Sequence, residues 1–137
     1  MSAAATPLKF APQTFLAFDF GVRRTGVASG NSLTRTATPQ GSVVATAATR
    51  LAAIELRVHT WQPDALVVGV PFHPDGAPHD NTARAQKFAR QLRSRLGLQV
   101  FEVDERYSTT EALASGAPDT DAASACIILE QFLRSLP

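Results

Sequence analysis

The sequence is poor in the residues that mark several common classes of protein. It has one cysteine, Cys126, and can form neither an internal disulfide nor a cysteine-rich metal site. No apolar run reaches the roughly 18 residues of a membrane-spanning helix. Residues 1–13 are rich in Ala and Pro and lack the long apolar core of a signal peptide, so we interpret them as a disordered leader. We therefore expect a cytoplasmic protein without a membrane partner, with one domain over residues 14–137.

Charge is also scarce. Charged residues make up 18% of the chain and the formal net charge is +1, so the overall charge does not indicate a nucleic-acid-binding protein. The basic residues are nevertheless almost all arginine, since only Lys9 and Lys87 are lysine. Arginine favours bidentate contacts with phosphate, although GC-rich coding produces the same bias.

Hydrophobic periodicity predicts an alternating order of strands and helices. We expect strands over residues 14–20, 25–29, 33–38, 65–70 and 99–103. Helices are expected over 45–61, 81–96 and 121–136, with a short helix opened by a capping box at 108–111. Short connections make the first three strands an antiparallel meander, and the two later strands, which are linked by helices, run parallel. The order resembles the ribonuclease H-like α/β fold, a mixed five-stranded sheet flanked by helices.

Acidic residues stand at the ends of three separate predicted elements. Asp19 lies near the end of the first strand between two phenylalanines, where an unpaired buried carboxylate is costly. Asp104 and Glu105 follow the fifth strand, and Asp121 begins the last helix. If these ends converge, the acids could hold two Mg²⁺ or Mn²⁺ ions for phosphodiester hydrolysis. Adjacent strand residues point to opposite faces, so we expect only one of Asp104 and Glu105 to face the site, and the sequence leaves both open.

Each acid also has an ordinary structural interpretation. Asp19 could pair with Arg23 or Arg24, and Asp104 could be a turn or salt-bridge residue. Asp121 suits the positive end of a helix dipole whether or not it binds metal. The acids alone are therefore a modest signal for a metal site.

Four segments, in order, resemble the motifs of the YqgF family. Residues 19–28 (DFGVRRTGVA) resemble its opening motif, D-x-G-x-x-R-x-G-x-A, and residues 68–76 its G-x-P…D-G loop. Residues 103–112 (VDERYSTTEA) are similar to its D-E-R-x-[ST]-T-x-E-A segment, and residues 121–129 to its closing D-x-x-[AS]-A…I-L helix. The match runs from about residue 15 to residue 133, and its first and third motifs are specific.

This family comprises Holliday-junction resolvases that are also described as pre-16S rRNA nucleases. The resemblance implies a ribonuclease H-like fold, a divalent-metal site and a nuclease that matures the 5′ end of small-subunit ribosomal RNA. The family's acids fall on Asp19, Glu105 (or its neighbour Asp104) and Asp121. One departure is the segment 112–120, which is shorter than in other members and bears on substrate choice.

Several residues near the acids are candidates for contact with nucleic acid. Gly21 and Gly26 bracket the first hairpin, where glycine allows close approach of the backbone to a phosphate, and a plain turn is the alternative. Arg23 and Arg24 could bind backbone phosphates or be ordinary surface charge. Arg106 could orient the second acid or contact substrate. A basic ridge is expected on the second helix, with a solvated face as its alternative: Arg84, Lys87 and Arg95.

Two other functions fit the same pattern. The first is a nucleotide-binding module, because sugar kinases, actin and the heat-shock ATPases share this fold and open with a similar Asp–Gly hairpin; they use two such domains. The second is a non-catalytic nucleic-acid-binding or ribosome-assembly factor, which has no need of carboxylates that repel phosphate. We expect the nuclease, as a monomer or homodimer, acting on an rRNA precursor or on branched DNA.

Overall fold

The computed structural model describes residues 12–105 and 120–137. In this part of the chain the element order is β-β-β-α-β-α-β-α. The strands are β1 Thr14–Asp19, β2 Arg24–Asn31, β3 Ala37–Val44, β4 Ala65–Pro71 and β5 Gln99–Glu105. The helices are α1 Ala47–Trp61, α2 Thr82–Leu96 and α3 Thr120–Arg134. The predicted leader up to residue 11, the predicted helix at 108–111 and Arg106 lie outside the described residues.

The five strands form one mixed sheet in the order β3-β2-β1-β4-β5. β1 pairs antiparallel with β2, and β2 pairs antiparallel with β3. β1 and β4 are parallel, as are β4 and β5. This is the predicted arrangement of three antiparallel strands followed by two parallel ones. It places β1 at the centre, between the meander and the parallel pair.

The third strand was predicted in the wrong place. Residues 33–36 belong to the turn after β2, where the Asn31 carboxamide oxygen accepts hydrogen bonds from the backbone nitrogens of Leu33 and Thr34, at 3.0 and 2.8 Å. Arg35 in the same turn has a φ of 57°, which is incompatible with a strand. The strand begins at Ala37 and contains Pro39, which an edge strand tolerates because its missing N–H need not join the ladder.

The sheet is covered on both faces, as its alternating apolar residues require. Helices α1 and α2 cover one face, where Leu16 and Phe18 of β1 pack against Ile54 and Phe88. Helix α3 covers the other face. There the odd-numbered residues of β1 meet apolar side chains of α3: Phe15, Ala17, Ile128, Leu129 and Phe132. Asp19 continues this odd series, so the fold places it on the α3 face.

Cys126 packs against the α3-side core and is half-buried there. Burial, with a smaller contribution from the Glu130 carboxylate, raises the pKa of the Cys126 thiol to about 11. The nucleophilic thiolate is therefore scarce at neutral pH. None of the helices in residues 12–105 and 120–137 is long and apolar enough to cross a membrane.

Candidate active site

Two acids from different strands meet at the edge where the parallel strands end. Asp19 closes β1, and Glu105 closes β5, two strands away. Gly69 on the intervening β4 pairs with Asp19, and a Cβ added at Gly69 would lie 3.3 Å from Glu105 Oε2. The same Cβ would lie 2.3 Å from Ile128 Cδ1, so the bare backbone at Gly69 makes room for Ile128 beneath the acids. The two carboxyl groups share a hydrogen bond.

Burial and mutual repulsion hold a proton in this pair. Glu105 is only 8% exposed. Burial raises the pKa of Asp19 well above its ordinary value, and the neighbouring charges of Glu105 and Asp121 raise it further. Burial also raises the pKa of Glu105, while the hydrogen bond from Asp19 and the nearby His79 oppose that rise. The pair therefore retains a proton to a higher pH than two isolated carboxyl groups would.

Asp121 supplies the third carboxylate from the start of α3. Arg24 Nε donates to Asp121 Oδ2 at 2.6 Å, and the side chains of Arg24 and Asp121 are 54% and 34% exposed. The ion pair that Arg24 forms here is with Asp121. The charge of Asp121 still reaches Asp19, since it contributes to the raised pKa of that carboxyl.

Gly26 sets how closely α3 approaches the sheet. It pairs with Asp19 across the β1–β2 hairpin. A Cβ at Gly26 would lie 1.9 Å from the Asp121 carbonyl oxygen and 2.9 Å from the Ala122 nitrogen. The first turn of α3 therefore rests on the bare backbone of β2, which brings Asp121 beside Asp19.

The adjacent acids Asp104 and Glu105 differ in burial. Glu105 is buried and faces Asp19, whereas Asp104 is exposed and lies outside the cluster. The alternation of side chains along β5 produces this difference. Of these two acids, the structure places Glu105 beside Asp19 and leaves Asp104 exposed.

Comparisons with known proteins identify the family of the chain. A sequence model of the RuvX family, described as Holliday junction resolvase, matches residues 13–135. The chain belongs to the RuvX family. The expected resemblance to YqgF proteins is thereby confirmed, and so is the prediction that the chain is a nuclease, a hydrolase of phosphodiester bonds.

Relatives of this RuvX-family chain carry a second description. A protein of Polaromonas sp. (strain JS666), named "Putative pre-16S rRNA nuclease", is 76% identical over the full length of both chains. A protein of the same name from Albidiferax ferrireducens is 67% identical over 90% of this chain and 80% of its own length. The structure of Thermus thermophilus RuvC in complex with a Holliday junction substrate is similar, with a TM-score of 0.56 and 16% identity, over 89% of this chain and 94% of that one. This likeness confirms the ribonuclease H-like fold.

Two further residues lie close to the acids of the candidate site. Ser124 is 1% exposed and lies one helical turn after Asp121. Its hydroxyl has no well-formed hydrogen bond to a described residue, yet it lies close enough to lower the pKa of Asp19. His79, in the loop after β4, lies close enough to lower the pKa of Glu105. Ser124 was not singled out from the sequence, although its i, i+3 spacing from Asp121 was an available signal.

The first hairpin turn is built around Gly21. A Cβ there would lie 2.2 Å from the Arg24 carbonyl oxygen, so the turn itself requires glycine. Arg50 of α1 supports this turn, since its guanidinium lies 4.7 Å from the centre of the Phe20 ring and donates to the Val22 carbonyl oxygen. Arg23 at the tip is exposed.

The donor set of the RuvX-family site fits a divalent cation. All three acids offer oxygen, which Mg²⁺ and Mn²⁺ prefer, and a bound cation would replace the proton that Asp19 and Glu105 share. Among the described residues the acids do not form a closed metal cage as they stand. Asp121 is held by Arg24 instead, so metal binding has to draw this carboxylate towards Asp19.

We expect Asp19→Asn to stabilise the metal-free protein by about 1–3 kcal/mol at neutral pH, because a neutral amide requires neither a buried charge beside Glu105 nor the uptake of a proton on folding. The raised pKa of Asp19 sets the pH dependence. As the pH rises above 3.8, the unfolded chain releases a proton that the folded chain retains, so the wild type loses stability until the folded-state pKa is passed.

Urea unfolding in EDTA at about pH 4 and about pH 8 checks this expectation. The stability gain should be present at the higher pH and small at the lower one. The exposed Asp104→Asn is the control and should change little at either pH. A variant at position 19 that is less stable than the wild type at both values would contradict the proton-sharing pair.

Proposed function

We propose that this RuvX-family chain is a divalent-metal-dependent nuclease that processes the 5′ end of pre-16S rRNA in the cytoplasm. The observation that carries the proposal is the buried Asp19–Glu105 pair, which retains a proton. Two adjacent buried carboxyl groups destabilise a fold unless a cation binds them, so their presence points to a functional site. The 76% identical relative named "Putative pre-16S rRNA nuclease" supports the choice of substrate.

In this proposal Asp19, Glu105 and Asp121 hold the metal, and Asp104 does not. Bound there, Mg²⁺ or Mn²⁺, as one ion or two, would activate a water and offset charge on the phosphate. Glu105 enters the site from the last position of β5, an edge strand that pairs with β4. His79 beside it lowers the pKa of Glu105 and thereby favours the ionised, ligand-competent carboxylate.

Arg24 has a further role in the proposal. It holds Asp121 through Nε, and a substrate phosphate is a competing partner for the same guanidinium. A phosphate that binds Arg24 would release the Asp121 carboxylate towards the metal. Gly21 shapes the turn that presents Arg23 and Arg24, and Arg106 remains a candidate contact.

A Holliday-junction resolvase is the second candidate function, because the family model carries that description and the RuvC structure of the same fold holds such a junction. Both substrates present folded or branched helices with dense phosphate. A direct comparison of the two substrates is therefore the decisive experiment.

The purified protein is incubated with a labelled fragment spanning the 5′ end of pre-16S rRNA and, separately, with a synthetic four-way DNA junction. Each substrate is tested with Mg²⁺, Mn²⁺ or EDTA, beside Asp19→Asn. We expect metal-dependent cutting of the RNA that Asp19→Asn abolishes. Cutting of the junction alone would favour the resolvase. Cutting that persists in EDTA or in Asp19→Asn would overturn the three-acid site, and binding without cutting under every metal would favour an assembly factor.

A further inference from the structure

A groove runs between α1 and α2 on the face of the sheet opposite α3. It consists of two adjoining cavities of about 380 and 630 Å³, both bordered by Leu51, Lys87 and Gln91. Each volume lies in the range of about 300–1,000 Å³ that is usual for ligand sites. The acids lie on the other face, so the groove is separate from the candidate active site.

The walls of the groove carry positive charge only. Among the described residues, five basic residues border it and no acidic residue does: Arg50, Arg84, Lys87, Arg90 and Arg95. Within residues 12–105 and 120–137, neither Lys87 nor Arg90 forms an ion pair, and both are exposed. Although the net charge of the chain is only +1, the groove therefore has a strongly positive local potential.

The floor between these cations is apolar. Phe20, Val22 and Leu51 line it, and Val22 is 47% exposed, which is high for a valine beside a core. Arg50 is buried against Phe20, and its Nε has no hydrogen-bond partner in the described part of the chain. An apolar floor beneath rows of cations matches a strand whose bases are unpaired, since a duplex offers only its phosphates to a groove.

The two ends of the groove differ. One end lies at the hairpin turn that follows Asp19, where Phe20 and Val22 line the groove and Arg23 and Arg24 come next in the chain. Towards the other end Arg95 of α2 pairs with Glu55 of α1 at 2.6 Å and links the two helices. From Arg84 to Arg95 the groove follows α2 for about 16 Å at 1.5 Å per residue. That length corresponds to about five stacked nucleotides.

We propose that this groove binds a single-stranded segment of the nucleic-acid substrate, which reaches the acids over the turn at Gly21–Arg24. The location next to the active site rests on the proposed nuclease function, whereas strand binding in the groove does not. Lys87 and Arg90 contact phosphates, and the floor accepts unpaired bases. The basic ridge expected on the second helix from the sequence forms one wall of this groove.

The test measures binding without cleavage. Fluorescein-labelled single strands of about ten nucleotides, one of RNA and one of DNA with the same sequence, are titrated with protein in EDTA from about 0.05 to 0.5 M salt. Lys87→Ala/Arg90→Ala should reduce the slope of log K against log salt by about 1.4, because each phosphate contact with a single strand contributes about 0.7. Over a tenfold range of salt this corresponds to about 25-fold weaker binding at the low end.

Arg134→Ala is the matched control, because it removes an exposed cation of α3 on the other side of the sheet and should leave the slope nearly unchanged. Circular dichroism confirms that the variants fold. A slope that the double variant leaves unchanged, or that Arg134→Ala lowers as much per charge, would overturn the groove assignment. Equal or tighter binding of a duplex would overturn the single-strand assignment, and a preference between the RNA and DNA strands identifies the source of the strand.

The result of the binding test does not depend on the nuclease proposal. Weaker binding by the double variant, together with no cleavage by the wild type under any metal, would retain the groove and refute the nuclease. Cleavage by a wild type whose strand binding does not respond to the double variant would retain the nuclease and refute the groove.

Discussion

Glu105→Gln should reduce cleavage at least about a hundredfold, while Asp104→Asn, one residue away, should leave the rate within about twofold. A bound metal ion supplies several kcal/mol of charge stabilisation in the transition state, and losing about 3 kcal/mol of it lowers the rate roughly a hundredfold. Glu105 is buried against Asp19, and Asp104 is exposed outside the cluster. Because the two acids are neighbours in the sequence but differ in burial, the variant at Asp104 is a matched control for the variant at Glu105.

The measurement is the initial rate of substrate cleavage at saturating Mg²⁺, with unfolding curves to show that both variants are folded. Isothermal titration with Mn²⁺ gives a second readout, in which the Gln variant should bind the ion more weakly. Equal losses in the two variants would mean that the strand end moves to present both acids. A loss confined to Asp104→Asn would reverse the assignment of Glu105.

Gly26→Ala should destabilise the protein by at least about 3 kcal/mol and lower the melting temperature by about 10 °C or more. The added methyl would lie 1.9 Å from the Asp121 carbonyl oxygen and 2.2 Å from its carbon, both backbone atoms that cannot rotate away. Relief of this clash requires α3 to move off the sheet. That movement opens the core beneath α3 and takes Asp121 away from Asp19.

Gly97→Ala serves as the control for this change. Gly97 ends α2 with a φ of 67° and has open space where a Cβ would lie, so its replacement costs backbone strain alone, of about 1 kcal/mol. Thermal unfolding of both variants separates a steric clash from a general cost of replacing glycine. A Gly26→Ala protein as stable as Gly97→Ala would show that α3 does not rest on β2.

Much of the fold could be predicted because its elements carry strong periodic signals. The apolar run of β4 and the spaced apolar residues of α2 each identify one type of element, and the structure places both within two residues of the prediction. β3 failed because its strand residues include Pro39 and Gly41, which are poor strand formers, while the turn before it contains Leu33. An edge strand is held by pairing to β2, and that information is not local.

The candidate site was predictable to the level of which segments contribute acids. Asp19 drew attention because a carboxylate between phenylalanines is expensive, and the family motif supplied the rest. Choosing Glu105 over Asp104 required knowing which side chains of β5 lie on the face that α3 covers. Only the assembled sheet provides that information. The Arg24–Asp121 pair joins residues 97 positions apart, and no local pattern indicates such a contact.

The same separation has a consequence for the protein while it is being made. Asp19 and the arginines of the first hairpin leave the ribosome early, whereas Asp121 arrives only with α3. Since α3 covers one whole face of the sheet, a growing chain lacks both a closed core and its third carboxylate until that helix has been synthesised and has docked. If the chain is the metal-dependent nuclease proposed above, its site can be completed only after α3 has been synthesised and has docked on the sheet.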